Sequence, residues 1–301
     1  MSKCAIIGSK GYIGKHLEYY LKQKKNDVVC YDVVESEDVN YHRCDLTDFE
    51  SVRRIIDLKV DYIFMFAGLT GTYVGFDKAN IFVNVNEMGL INLLNCIRES
   101  KYRPKIIFPS TRLIYKGADK ALKEDDEKET KTIYAVNKIA CENLLYAYRQ
   151  NFDIPYTIFR ICVPFGNMFS DDYSFGTIGF FIRQASNDRR ITLYGDGSIK
   201  RTFTSMHDLC KQIVEVGMER VSDGEIYNIG GHTYSLRNAA EIIASYYKAE
   251  ISFISWPERD LKMESGSTYF DSSKIERVMG KIVFELSLIH ISEPTRQAEI
   301  S

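Results

Sequence analysis

Tyr134 and Lys138 stand four positions apart in the run Tyr134-Ala-Val-Asn-Lys138. On a helix, positions i and i+4 share a face, so a phenol and an ammonium come to lie side by side. A tyrosine with its ordinary pKa near ~10 is a poor base at neutral pH. A neighbouring cation favours the phenolate and lowers that value. Such a tyrosine could take the proton of an alcohol while hydride leaves the carbon that bears it. Thr111 ends the apolar run Ile107-Phe-Pro-Ser-Thr111, where its hydroxyl could orient the reacting oxygen, with Ser110 beside it. Thr111, Tyr134 and Lys138 are therefore the candidate catalytic residues.

A hydride needs an acceptor, and the N-terminus offers a place for one. Gly8-Ser-Lys-Gly11-Tyr12-Ile13-Gly14 follows an apolar run and precedes a helical pattern. That is the context a dinucleotide-binding turn requires. Glycines let the backbone turn tightly and meet a pyrophosphate, whose charge the N–H groups at the helix start then hold. The second apolar run ends at Asp32, about 20 residues further on, placed to accept hydrogen bonds from the adenosine ribose. A carboxylate there repels the 2′-phosphate of NADP, so NAD is the expected cofactor.

Short apolar runs at 4–7, 28–31, 62–66, 105–109 and 156–161 position these residues. They show little polar alternation, as strands covered on both faces should. Amphipathic stretches at 12–24, 49–58, 81–100 and 132–151 separate them. The alternation predicts βαβ units and a doubly wound parallel α/β sheet. The charged segment 117–131 reads as a loop. After residue 161 the rhythm breaks into a polar loop at 165–174, helices over 178–187, 208–220 and 236–248, and strands over 191–194 and 225–229. The expected organisation is a cofactor domain formed by 1–165 with 204–230, and a smaller C-terminal substrate-binding domain formed by 166–203 with 231–285.

Residues 286–301 fall outside that scheme. Leu286-Ser-Leu-Ile-His-Ile-Ser-Glu-Pro-Thr-Arg296 resembles a sequencing adapter read in frame, so this tail is expected to be non-native. Hydrophobic residues make up 45% of the 301 and charged residues 27%, as in a globular chain. A net charge of -2 gives no electrostatic case for nucleic acid, and no apolar run is long enough to span a bilayer. The seven scattered cysteines contain no CxxC pair, which points to a reduced cytoplasmic protein without a metal site.

Together these residues resemble an extended short-chain dehydrogenase/reductase with a Rossmann fold, of the NAD-dependent nucleotide-sugar epimerase/dehydratase family. The matching motifs run from Gly8 to about Gly280. Besides those above, they include Asp45-Leu46, Ala67-Gly68, Asn86-xx-Gly89, Tyr115, Arg160, Gly195-Asp-Gly197 through Arg201, Asp208, Tyr227-Asn-Ile-Gly230 and Arg259. The resemblance implies that Asp45 touches the adenine and that Leu46, Ala67, Gly68 and Asn86 join the cofactor site with Gly8, Gly11, Tyr12, Ile13, Gly14 and Asp32. It implies that Lys138 holds the nicotinamide ribose and tunes Tyr134, and that Arg201 and Arg259 clamp a substrate diphosphate.

Departures narrow the reading. The family's dehydratases carry Asp-Glu directly after the threonine, where this chain has Arg112 and Leu113, so a 4,6-dehydratase is rejected. Met65 and Val163 replace the usual His and Asn. The expected activity is epimerisation of a nucleotide-sugar, at C4, through a transient keto-sugar. The alternatives are an NDP-4-keto-sugar reductase and a non-catalytic NAD-binding regulator. The family also implies a homodimer, formed through helices near 90–100 and 134–150.

Overall fold

The computed structural model describes residues 1–169 and 176–284. Part of the expected 165–174 loop and all of the 286–301 tail lie outside them. The chain begins β1 (Lys3–Ile7), α1 (Tyr12–Gln23), β2 (Asp27–Asp32), β3 (Tyr41–Arg43), α2 (Phe49–Asp57) and β4 (Tyr62–Met65). It continues through α3 (Val74–Asp77), α4 (Ala79–Phe82), a π-helical turn (Val83–Met88), α5 (Gly89–Glu99), β5 (Lys105–Thr111), α6 (Ile133–Phe152), β6 (Tyr156–Ile161) and β7 (Val163–Phe165). Then come α7 (Gly176–Asp188), β8 (Arg190–Tyr194), β9 (Lys200–Ser205), α8 (Met206–Gly217), β10 (Glu225–Asn228) and β11 (His232–Ser235). The last described elements are α9 (Leu236–Tyr247), β12 (Glu250–Ile254), α10 (Glu258–Met263) and α11 (Ser273–Met279).

Seven strands form one sheet in the order β10-β6-β5-β4-β1-β2-β3. The pairings β1–β2, β1–β4, β2–β3 and β4–β5 are parallel. Strand order reverses between β1 and β4, and such a reversal opens a crevice at the carboxyl ends of the strands. Every residue of β5 is buried, as a central strand covered on both faces must be.

Local chemistry sets where the site helix starts. The Ala135 N–H donates to Thr132 Oγ1 at 3.1 Å, so Thr132 caps α6 and Tyr134 falls in its first turn. Asp153, at a φ of 56°, ends the helix in the left-handed region. The expected single helix over 81–100 is instead interrupted by the π-helical turn, one of the recurrent irregularities of functional helices.

Two compact units emerge. The first comprises Met1–Ile114, Thr130–Arg160 and Cys210–Tyr227. The second comprises Tyr115–Glu129, Ile161–Leu209 and the chain from Asn228. Within the second, β11-β9-β7 form one small sheet and β12-β8 another, over a core that includes Phe165, Phe181, Leu193 and Ile243. The segment 115–129 is anchored there, because the Tyr115 hydroxyl donates to Asn228 Oδ1 at 2.7 Å.

In the first unit, Arg160 Nε and Nη2 donate to the two Glu142 carboxylate oxygens at 3.0 and 2.6 Å, with both side chains buried. Removing one partner strands a buried charge. Glu142→Ala should therefore cost about 3–5 kcal/mol in urea unfolding. Glu250→Ala, which breaks an exposed pair with Arg190 at 4.0 Å, should cost less than about 1 kcal/mol.

Candidate active site

The turn after β1 leaves no room for side chains. Gly8 has a φ of 93°, and a Cβ on it would lie 2.4 Å from the Ala67 nitrogen. A Cβ on Gly14 would lie 2.0 Å from the Gly8 carbonyl oxygen. These glycines bring the first turn of α1 onto the end of β1 and bring β1 against the segment after β4. A cavity of about 550 Å³ opens there, lined by Gly8, Gly11, Asp32, Asp45, Leu46, Ala67 and Gly68 among others.

Asp32 is held at its edge. Lys10 N–H donates to Oδ2 at 2.9 Å and Val33 N–H to Oδ1 at 2.7 Å. The Asp45 carboxylate accepts from Thr47 N–H at 2.9 Å and from the Thr47 hydroxyl at 2.8 Å. A side-chain-free turn at a helix start and a fixed carboxylate on the next strand match the needs of a dinucleotide's pyrophosphate and adenosine ribose. Lys10, Val33, Val34, Thr47, Leu69, Asn84 and Val85 also line the cavity and were not singled out from sequence. Their neighbours in the glycine turn and the Asp45-Leu46 step were the only available signal.

Tyr12 and Ile13 are half-buried in the first turn of α1, and the Tyr12 carbonyl accepts from His16 Nδ1 at 2.7 Å. Asn86, expected at the cofactor site, is held from behind by the loop after β4. Its Oδ1 accepts from Leu69 N–H at 2.8 Å, and its Nδ2 donates to the Leu69 carbonyl at 3.0 Å. Both ends of the amide thus fasten the loop after β4, and its Nδ2 also donates to Asn137 Oδ1 at 3.4 Å, while Asn84 and Val85 line the cavity. The π-helical turn gives Asn86 this position. Its carbonyl accepts from Cys141 Sγ of α6 at 3.4 Å.

Thr111 is buried at the end of β5, and its Oγ1 accepts from Leu113 N–H at 3.3 Å. Beside it, the buried Ser110 hydroxyl has no partner among the described residues. Lys138 is 7% exposed; its ammonium donates to the Pro109 carbonyl at 2.7 Å and sits 4.4 Å from the centre of the Phe108 ring. The same ammonium lies 5.7 Å from the centre of the Tyr134 ring. One helix and one strand therefore bring Thr111, Tyr134 and Lys138 into the same unit.

The electrostatics correct the expectation for Tyr134. Burial pushes its phenol above the ordinary tyrosine value, with the nearby Cys141 thiol adding to the rise. Burial likewise pulls Lys138 down to about 8. The cation is close, but loss of water outweighs its attraction for a phenolate.

In the second unit Arg201 is also reassigned. Its guanidinium donates to Glu264 Oε1 at 2.8 Å, to the Gly266 carbonyl at 2.6 Å and to the Lys200 carbonyl at 3.0 Å, and the residue is 2% exposed. A buried guanidinium must satisfy its donors within the fold, and this one does so by fastening β9 to the chain at 264–266. Arg259 is exposed in the first turn of α10. Among the described residues, no group of three or more His, Cys, Asp or Glu could hold a metal, and no helix is long and apolar enough to cross a membrane.

A model of the NAD dependent epimerase/dehydratase family matches residues 4–230. The chain is 28% identical over 244 residues to UDP-N-acetyl-alpha-D-glucosaminuronate decarboxylase of Bacillus cytotoxicus, covering 76% of this chain and 74% of that protein. It is 25% identical over 299 residues to UDP-glucuronate 4-epimerase of Thermodesulfobacterium geofontis, covering 91% and 89%. Its fold matches that of Thermus thermophilus UDP-glucose 4-epimerase, solved in complex with NAD, with a TM-score of 0.83 at 21% identity over 98% and 99% of the two chains.

The buried ammonium makes stability depend on pH. Between pH 8 and the ordinary lysine value of 10.5, the unfolded chain keeps a proton that the folded chain has lost. Stability therefore rises with pH across that window, and below it the burial penalty is fully present. Lys138→Met removes the group. The thermal midpoint of the parent protein should gain on that of the variant between pH 7 and pH 10, and a constant difference would show that Lys138 is not held below its ordinary pKa.

Proposed function

The chain belongs to the NAD dependent epimerase/dehydratase family, with NAD as its cofactor, and on that premise we propose that it epimerises C4 of a UDP-activated uronic acid. The observation that carries the redox half of this reading is the grouping of Tyr134, Lys138 and Thr111 around the end of β5. When bound, NAD would supply a reversible hydride acceptor, and the Gly8–Gly14 turn and Asp32 would hold it.

Tyr134 removes the proton of the C4 hydroxyl as that carbon is oxidised. The buried Lys138 ammonium stabilises the phenolate that takes this proton, a role that needs the lysine protonated and hence favours pH below about 8. The Thr111 hydroxyl donates to the C4 oxygen and fixes its direction. The keto-sugar turns in the site, and Tyr134 returns the proton when the opposite configuration forms. Asp32 disfavours the 2′-phosphate of NADP, which supports a recycled NAD over a net reductase.

The sugar class rests on Arg112. It is half-buried in the 3₁₀ turn directly after Thr111, at a place where an acid would serve dehydration. A guanidinium suits a carboxylate. Both curated relatives described above act, by their names, on uronates. The proposal extends to a homodimer in the cytoplasm. Val136 and Tyr146 are exposed on α6, and all seven cysteines are free thiols.

The decisive test is to denature the purified protein, identify any nucleotide released, and then incubate fresh protein with UDP-glucuronate and UDP-glucose without added cofactor. Near-stoichiometric NAD and a C4 epimer of UDP-glucuronate are expected. Release of CO₂ would replace the epimerase reading with a decarboxylase one, and an empty protein that needs added NADPH would replace it with a reductase. Tyr134→Phe should lower kcat by about 10²–10⁴ while leaving the NAD content near that of the parent. Arg112→Gln should raise KM for UDP-glucuronate at least about tenfold, because glutamine cannot offer the carboxylate two charge-assisted hydrogen bonds.

A further inference from the structure

A second cavity, of about 450 Å³, lies in the first unit and is lined by Tyr31, Tyr41, His42, Arg43, Ser51, Arg54 and Leu58. Ser51, Arg54 and Leu58 stand at i, i+3 and i+7 along α2 and its C-terminal cap, so they share one face. Tyr31 is 2% exposed, yet its hydroxyl has no hydrogen-bond partner among the described residues. A buried polar atom without a partner is costly in a native fold and calls for one. Its ring packs against His42, with centroids 5.5 Å apart.

The charges at this cavity are cationic. Arg54 rises from α2 and Arg43 from β3. Arg43 Nε donates to the Val33 carbonyl at 3.1 Å, and its Nη1 lies 3.3 Å from Glu35. That ion pair is solvent-exposed on both sides and therefore weak and exchangeable. An acid–base pair on α2, Arg53 with Glu50 at 3.8 Å, is likewise exposed.

We propose that this cavity is a binding site for a small aromatic phosphate monoester, distinct from the NAD cavity and linked to it. Arg43 and Arg54 take the phosphate, the Tyr31 hydroxyl donates to the ligand, and the ring of the ligand packs on Tyr41 and Leu58. The link is Tyr41. Its hydroxyl donates to the Asp32 carbonyl at 3.1 Å and also meets the Val34 carbonyl. Its ring lies 4.8 Å from the Lys10 ammonium. Lys10, Asp32 and Val34 all line the NAD cavity. A ligand that immobilises Tyr41 therefore orders the wall of both sites, and by reciprocity each ligand tightens the other.

Phenyl phosphate is the probe, titrated calorimetrically into the full-length protein saturated with NAD. Saturable one-site binding is expected, weakened about tenfold in Arg54→Gln and about fivefold in Tyr31→Phe. Arg54 is exposed and Tyr31→Phe keeps the ring while removing an unpartnered buried hydroxyl, so neither variant should melt below the parent. Inorganic phosphate should bind at least tenfold more weakly than phenyl phosphate, because it lacks the ring. Absence of saturable binding, equal binding by Arg54→Gln, or inorganic phosphate binding as tightly as phenyl phosphate would each overturn the site. NAD affinity unchanged by saturating phenyl phosphate would overturn the link.

Discussion

Everything in the site depends on three stretches of backbone meeting without side chains between them. The first turn of α1 presses on the Gly8 carbonyl so closely that a methyl on Gly14 would overlap it at 2.0 Å. Gly8 in turn abuts Ala67 so closely that a methyl there would come within 2.4 Å. This contact occurs where strand order reverses, between β1 and β4. Close packing at that point brings the N–H groups of a helix start, the Asp32 carboxylate and the loop after β4 around one cavity. Side chains at these positions would force the strand ends apart and leave the charges of a pyrophosphate facing water.

The Tyr134–Lys138 pair is built against its own stability. A lysine that burial pulls down to about 8 and a tyrosine that burial pushes up are each more comfortable uncharged. The fold tolerates the ammonium by giving it the Pro109 carbonyl and the Phe108 face. These contacts orient the charge without neutralising it. Glu142, whose carboxylate also acts on Lys138, is engaged by Arg160, which leaves the ammonium available to a phenolate. Orientation by a carbonyl and an aromatic face is thus the arrangement that keeps the charge available.

What the sequence revealed was local. The glycine turn, Asp32 and the Tyr134–Lys138 spacing are read within one element or one turn, and each falls where its spacing predicts. The roles of Asn86 and Arg201 depend on partners far along the chain. Asn86 is set by Leu69 across a π-helical turn that no residue pattern announces. Arg201 is set by Glu264, 63 positions away, so a buried architectural guanidinium looks the same in sequence as a ligand-binding one. Strand β9 escaped for a related reason: Thr202, Thr204 and Ser205 are buried polar residues, and burial without an apolar run leaves no periodic signal. The sign of the shift at Tyr134 was hidden too, because desolvation belongs to the surroundings and not to the pair.

Hydroxyl-to-keto oxidation by a Tyr-Thr-Lys group cannot by itself decide the product, because every fate of the keto-sugar begins from it. For a uronate the question is sharp. A 4-keto group lies β to the carboxylate carbon, and β-keto acids lose CO₂ because the departing electrons are accepted by the carbonyl. Epimerisation then requires the carboxylate to be held against that loss. A guanidinium that hydrogen-bonds both oxygens stabilises the charged group most while the charge is still localised on it, so it favours the intact acid over the transition state in which that charge migrates into the ring. Arg112, fixed in the turn that follows Thr111, stands next to the group that orients the reacting oxygen. Under the proposed uronate epimerisation, arginine in place of an acid at this one position would both remove the means of expelling water and supply the means of retaining the carboxylate.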